Sequence, residues 1–512
     1  MKVLIVLALL ACVAGCYQYP PVPAAVTGDS YTNRPEAEKN ADGVSFRQYL
    51  EKLDTLTLAE AQRIALERNP GYIAAYHAVS AARMALYQRR GEYSPVLSAA
   101  FGLSNRHNWT GQVLRGTERS DSRTDTFSTA TTVRADWLLF DGFGRLHRML
   151  AASVYLDRQN EIYADTRRTL LRQVASAYNA VLLAIEDCRI ADEDRTFQEE
   201  SLRDARHKFD AGKVARSSVL NFEILRNRAE VRRIAAEYAY ESAVYALAVL
   251  MGCEEGTLPP SLKFESSFGS EFPELPAVEV YLDLALATRP DLKAARADVQ
   301  RACYLVRLAY ADYFPVVAAF ARFDFTTGRN DYYAYAVRRR RSSGNNTSFA
   351  YGLTADWTIF NGLQRYNAIR ERKAQLAAAE LGLAKEWFAV VGEVRAACAN
   401  YRRAVKCADL YRRTLELSQK QRDLVQNQYR TGYCEITRLN EAQRDLVSAE
   451  ANYATSRINI LNAIAQIEFA TGAADVLAAR RQDAEPAAEK KTAAEKKPEA
   501  ETSAAAEKPV KN

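Results

Sequence analysis

The chain has 512 residues with 69 basic and 63 acidic side chains, a formal net charge of +6. Apolar residues make up 48% and charged residues 26%, an ordinary balance for a folded protein. Near-balanced charge gives no bulk argument for nucleic acid as a partner.

The first element is a leader. Lys2 is a short positive region, and Val3 to Val13 is an apolar run too short for a permanent membrane helix. It ends in Val13-Ala14-Gly15-Cys16, which resembles a bacterial lipobox: cleavage before Cys16 and acylation of its thiol. A plain signal peptide containing a cysteine is the alternative. No Asp follows Cys16, so nothing resembles an inner-membrane retention signal, and several acyl chains give stable anchoring. The spacing thus predicts a signal peptide over 1–15 and an anchored, extended, proline-containing segment over 16–55.

A duplication organises the rest. At an offset of 220, Pro70 falls on Pro290, Tyr93 on Tyr313, Pro95 on Pro315 and Trp137 on Trp357. Phe140-Asp141-Gly142 falls on Phe360-Asn361-Gly362, Gly212 on Gly432 and Gly252 on Gly472. Rare tryptophans and structural glycines sharing one offset predict two copies of one fold, over 56–255 and 278–475. A linker over 256–277 joins them, and an Ala/Glu/Lys/Pro tail over 476–512 has too few apolar residues for a core.

Each copy reads in the same order. In the first, a short helix from Leu58 to Arg68 stops before Asn69-Pro70, and a second from Gly71 to Tyr93 is stopped by Pro95. Two strand runs follow, Val96 to Trp109 and Thr126 to Phe140, around a polar loop. In the second copy they are Val316 to Thr327 and Ser348 to Phe360. The alternation of Phe127, Thr129, Thr131 and Val133 with polar neighbours has a period near two. All four runs exceed the ~9–11 residues of a tilted transmembrane strand. Beyond Gly142, Leu146 to about Phe209 holds neither proline nor glycine and would run roughly 95 Å as a helix. Its apolar residues keep coiled-coil spacing (Leu171, Val174, Tyr178, Val181, Ile185), as do those of the second copy.

Four strands per chain cannot close a barrel, and an open sheet edge in lipid leaves backbone groups unpaired. A head-to-tail ring of copies solves this, and three copies give 12 strands. The expected fold class is therefore mostly α with transmembrane β. Long coiled-coil hairpins join four strands per chain of a shared trimeric barrel.

This order of elements resembles the TolC/OprM outer-membrane efflux family, in its lipoprotein branch, over nearly all of the mature chain. The match rests on Asn69-Pro70 and Arg289-Pro290, Tyr93-Ser94-Pro95 and Tyr313-Phe314-Pro315, Trp137 to Gly142, Trp357 to Gly362, and the two glycine hairpins. The resemblance implies a homotrimeric channel in the outer-membrane lipid that passes substrates outward. Its partners would be a periplasmic adaptor and an inner-membrane transporter, with no cofactor and no catalysed reaction. It further implies that the hairpin tips form a periplasmic aperture and meet the adaptor, through Phe209, Gly212, Ser217, Ser218, Tyr429, Gly432, Cys434, Arg438 and Glu441. Arg438 stands where relatives often carry an acid, and Cys434 where a basic gate residue can occur. Glu441 could still form an acidic ring.

Other readings stay open. The run Arg338 to Arg341, in an expected loop over 328–347, could hold lipopolysaccharide phosphates or simply be solvated. A protein-secretion duct and an anchored, non-conducting coiled-coil scaffold are the alternative functions. His77, His107, His147 and His207 are scattered, and no GxSxG, P-loop or HExxH occurs. Beyond Cys12 and Cys16, six cysteines show no CxxC pair, so spacing assigns neither zinc nor a disulfide.

Overall fold

A computed structural model describes residues 46–51, 53–113, 119–253, 255–265, 275–334 and 337–472. The expected leader, the expected lipobox at Cys16, most of the segment expected to be extended over 16–55 and the expected tail lie outside the described residues; the described part of that segment, Phe46–Glu51, is helical rather than extended.

The elements are α1 (Phe46–Glu51), β1 (Thr55–Leu56), α2 (Leu58–Arg68), α3 (Pro70–Gly91), β2 (Val96–Val113), β3 (Arg119–Phe140), α4 (Gly144–Asp210) and α5 (Arg216–Leu250). Then come β4 (Lys263–Phe264), α6 (Val278–Thr288), α7 (Pro290–Ala311), β5 (Val316–Ala334), β6 (Val337–Asp356), α8 (Gln364–Thr431) and α9 (Ile436–Thr471). The starts of α2, α3, β2, α4 and α5 recur at the same offset of 220 in α6, α7, β5, α8 and α9.

Local chemistry sets these boundaries. Thr57 caps α2 by accepting from the Glu60 amide at 3.1 Å. Asn69 and Arg289 turn extended (ψ 120° and 123°) because each precedes a proline, so α2 and α6 end there. Pro70 and Pro290 then start α3 and α7, where a missing N–H does no harm.

Two expectations need correction. The loops expected at 110–125 and 328–347 are largely strand: β2 pairs β3 out to Val113↔Arg119, and β5 pairs β6 out to Ala334↔Val337. Their polar composition hid the ladder, because a strand far from the core needs no apolar face. Conversely, β6 ends at Asp356 rather than Phe360. Its counterpart in β3 continues to Phe140 because β5 lies beside it; among the described residues no strand of the same chain flanks the far edge of β6.

The described residues form two compact units. One is drawn from Met1–Asn69, Gln173–Ser270 and Tyr411–Ile458. In it β1 and β4 pair in parallel, and the buried Tyr178 hydroxyl lies 2.8 Å from the carbonyl oxygens of both Leu56 and Glu265. Burial pushes that phenol up to about 12. The other is drawn from Pro70–Arg172, Glu271–Leu410 and Asn459–Asn512. Its helical core gathers Tyr281, Leu292, Val390, Val394, Tyr401 and Ile460, and it carries the antiparallel sheet β2-β3-β5-β6.

Candidate functional site

The sheet is two-faced. Register and the period-two alternation of side chains place Leu97, Ala135, Ala321 and Tyr351 in one row across it. The neighbouring rows are Ala99, Val133, Phe323 and Phe349, then Phe101, Thr131, Phe325 and Thr347. Among the described residues nothing covers this apolar face: Leu97 is 75% exposed, Phe101 72% and Tyr351 77%. The opposite face carries Ser98, Arg134, Arg322 and Ala350 in one row and Ala100, Thr132, Asp324 and Ser348 in the next. Its charges are paired: Arg134 with Asp136 at 2.7 Å and Arg322 with Asp324 at 2.8 Å. Thr132 also donates to Asp324 at 2.7 Å. A sheet with one bare apolar face and one polar, ion-paired face fits a wall between lipid and water.

In the other unit, two helical hairpins end in matching tips. At the first, Lys213 N–H donates to Lys208 O at 2.8 Å and Gly212 N–H to Phe209 O at 2.8 Å. At the second, Tyr433 N–H donates to Gln428 O at 2.8 Å and Gly432 N–H to Tyr429 O at 3.2 Å. These bonds close the helix ends in a left-handed cap, and φ is +71° at Gly212 and +82° at Gly432. A Cβ at either glycine would meet nothing within 4 Å, so backbone conformation, not space, calls for glycine.

The structure brings some expected residues together. Tyr429 packs against the cluster of Phe197, Val425, Leu439 and Ala442 and against that of Leu202, Ala205 and Phe222. Its ring meets Phe222 edge-on at 6.5 Å, and the Lys208 ammonium sits 4.1 Å from the ring centroid. Burial, aided by the charge of Asp204, pushes its phenol above the ordinary value. Cys434 joins the same packing and donates its Sγ–H to Val425 O at 3.5 Å, an apolar role where a basic one was considered. Arg438 and Glu441 pair with each other at 3.2 Å on an exposed helix face. Glu441 therefore presents a neutralised pair rather than a bare acid. Phe209 and Ser217 are exposed and Ser218 is half-buried at the first tip.

Sequence reasoning missed four participants. Phe222 is fully buried under Tyr429, and Lys208 stacks on it. Tyr433 is 89% exposed directly after the tip glycine, a position readable in the sequence. Asp194 is buried on α4 and accepts from Gln198 at 3.3 Å, from Gln443 on α9 at 3.1 Å and from Arg232 on α5. Only tertiary packing joins those last partners. Among the described residues no His/Cys/Asp/Glu group is placed to hold a metal, and the six cysteines there are free thiols.

One unit thus carries a two-faced, membrane-type sheet and the other a pair of matching helical hairpins, the two kinds of element that an export channel needs. The family described as outer membrane efflux protein matches residues 62–253 and 281–473, one match for each half of the duplication. The chain belongs to this family. It is 24% identical to the protein CyaE of Bordetella pertussis over 405 residues, 79% of this chain and 81% of that one. It is 21% identical to the alkaline protease secretion protein AprF of Pseudomonas aeruginosa over 427 residues, 82% and 85% of the two chains. The fold superposes on the CmeC outer membrane channel of Campylobacter jejuni with a TM-score of 0.68 at 13% identity, covering 89% of this chain and 92% of that one. The chain is thus an outer-membrane channel protein of efflux or secretion.

Proposed function

We propose that three copies close one 12-stranded barrel and one helical duct, which passes cargo delivered by an inner-membrane transporter through a periplasmic adaptor. The observation that carries this reading is the repeat symmetry of the seam. Inside one chain β3 pairs β5, with Val133 opposite Phe323 and Trp137 opposite Ala319. Shifting both strands by the repeat offset pairs β6 with β2 of the next copy. Leu353 then stands opposite Leu103, and Trp357 opposite Ala99. This removes both open edges and continues β6 through Phe360, as in β3.

The hairpin tips then meet the adaptor through Phe209, Tyr433 and their neighbours. Tyr429, Cys434 and Phe222 hold the aperture by apolar packing. Cys16 carries the acyl anchor. Likeness to a protein named for alkaline protease secretion supports a second reading of the cargo, exported protein.

The test is the native mass of the detergent-extracted protein, followed by cross-linking of a variant carrying both Leu103→Cys and Leu353→Cys. Three chains per particle and a covalent ladder absent from either single variant are expected. A stable monomer would sink the shared barrel.

A further inference from the structure

Beyond the apolar rows, the same sheet face ends in a charged and aromatic cluster. The next rows are Leu103, Thr129, Thr327 and Asn345, then Asn105, Phe127, Arg329 and Ser343. Then come His107, Asp125, Asp331 and Arg341, and finally Trp109, Arg123 and Tyr333. The helices α3, α4 and α7 adjoin the opposite end of the sheet, so this cluster lies at the end farthest from them.

Its carboxylates are covered and its cations face out. Asp125 accepts from Arg123 Nε at 2.8 Å and lies 2.5 Å from His107 Nδ1. Asp331 accepts from Arg329 at 3.1 Å and from Arg341 Nε at 3.0 Å. The two aspartate side chains are only 19% and 12% exposed, whereas those of Arg123, Arg329 and Arg341 are 47%, 46% and 51% exposed. A guanidinium has five N–H donors in a fixed fork, and these ion pairs hold each one through Nε or a single terminal nitrogen. Three guanidinium groups against two shielded carboxylates leave a cationic surface. The rings of Trp109 and Tyr333 stand 5.6 and 6.0 Å from the Arg123 guanidinium carbon. Such rings suit the level of lipid headgroups.

We propose that Arg123, Arg329 and Arg341 form a binding site for the phosphate groups of a phosphorylated outer-leaflet lipid, whose acyl chains lie on the apolar rows beneath. This rests on the barrel reading above, which puts the apolar face in lipid and the cluster at its outer rim. Guanidinium binds phosphate through paired, charge-assisted hydrogen bonds, and the pre-formed Arg–Asp pairs fix the forks before the lipid arrives. The arginines of the opposite face, Arg134 and Arg322, supply an internal control, since each is paired on the polar side.

The experiment uses the full chain in detergent with its oligomer mass measured. It is titrated with bisphosphorylated lipid A, with dephosphorylated lipid A, and with inorganic phosphate, and bound lipid is counted by native mass spectrometry. The expected preference for the phosphorylated lipid is about tenfold or more. The triple change R123Q, R329Q and R341Q abolishes it, the single change R341Q weakens it, and R134Q with R322Q leaves it intact. The proposal is overturned if the triple variant keeps the preference, if the opposite-face variant loses it equally, or if inorganic phosphate displaces the lipid at equal concentration. Absence of the preference in an intact oligomer overturns the lipid site alone, whereas a monomeric particle overturns the channel reading beneath it.

Discussion

The two halves of the duplication solve the same problem with different chemistry. At the end of α2, the Asn69 amide donates to the Leu250 carbonyl at 3.0 Å and so ties down the C-terminus of α5. At the equivalent place in the second half, Arg289 donates to the Ala470 carbonyl at 2.9 Å and ties down α9. Arg289 is 4% exposed and also bonds Asp291 and, at 2.6 Å, Glu393. The positions matching those acids in the first half are Gly71 and Gln173, so a neutral amide suffices there. A duplicated fold keeps the backbone bond and lets the side chain follow its local charges.

A second contrast concerns the shoulder between strand and long helix. Trp137 and Trp357 each donate Nε1–H at 3.1 Å, to Tyr93 O and Tyr313 O respectively. Yet a Cβ at Gly142 would clash with the Ala311 carbonyl oxygen, while one at Gly362 would meet nothing within 4 Å. Arg145 is buried, donating to Leu139 O at 3.0 Å, whereas Arg365 is half-buried and donates to Thr358 O. Gly142 belongs to the seam inside the chain, and Gly362 to the open edge that the proposed seam would pair.

The largest effect should come from splitting the two anchors. Arg289→Ala leaves Asp291 and Glu393 without their buried cation and should destabilise by about 3–5 kcal/mol. Asn69→Ala leaves one carbonyl unpaired, at about 1–3 kcal/mol. Thermal unfolding by circular dichroism in detergent checks the order, and equal losses would refute the contrast.

Next come the glycines. Gly142→Ala adds a backbone clash to a positive φ and should impair folding of the chain itself. Gly362→Ala should cost about 1–2 kcal/mol for its φ alone within the chain. In the proposed seam its Cβ would also press on the neighbouring copy. Native mass should therefore show folded protein with a weakened oligomer for Gly362→Ala only.

A smaller effect follows from the Lys208–Tyr429 contact. Lys208→Gln should lose about 0.5–2 kcal/mol of packing at the tip. Single-channel recording should show more frequent opening, and an unchanged record would mean that the contact does not hold the aperture. Arg438→Gln breaks an exposed pair, so stability should move by no more than about 1 kcal/mol. The freed Glu441 carboxylate should shift ion preference toward cations.

The smallest effect is a pH dependence at the second anchor. Burial would push the Asp291 carboxyl up, but hydrogen bonds and charge from Arg289, with Arg168 behind it, win and hold it below the ordinary aspartate value. A depressed carboxylate stabilises the fold above its unfolded pKa, and that contribution disappears as pH falls through the folded value. The stability advantage of the native chain over Asp291→Asn should hold at neutral pH and shrink only in acid. Melting curves across pH test this.

Much of the architecture was legible because it rests on rare residues at one spacing. Asn69-Pro70 and Arg289-Pro290 end helices for a local reason, and Gly212 and Gly432 require a positive φ whatever surrounds them. The two tryptophans marked equivalent strand ends. The outer halves of the hairpins were not legible, since Arg341 and Ser343 pair as strand without any apolar rhythm. Nor was the tip chemistry, because Phe222 and Lys208 carry no signal in the chain that they converge on Tyr429.

By itself, then, the sequence determined the duplication, the order of elements and the alternation that makes one sheet face apolar. These are set by period, backbone conformation and proline, all local properties. Tertiary structure alone decided that Arg438 neutralises Glu441, that Asp194 gathers Gln443 from 249 positions away, and that Gly142 is crowded where Gly362 is open. Each of these depends on which surfaces meet, and a repeat written twice in the sequence meets different neighbours in its two places.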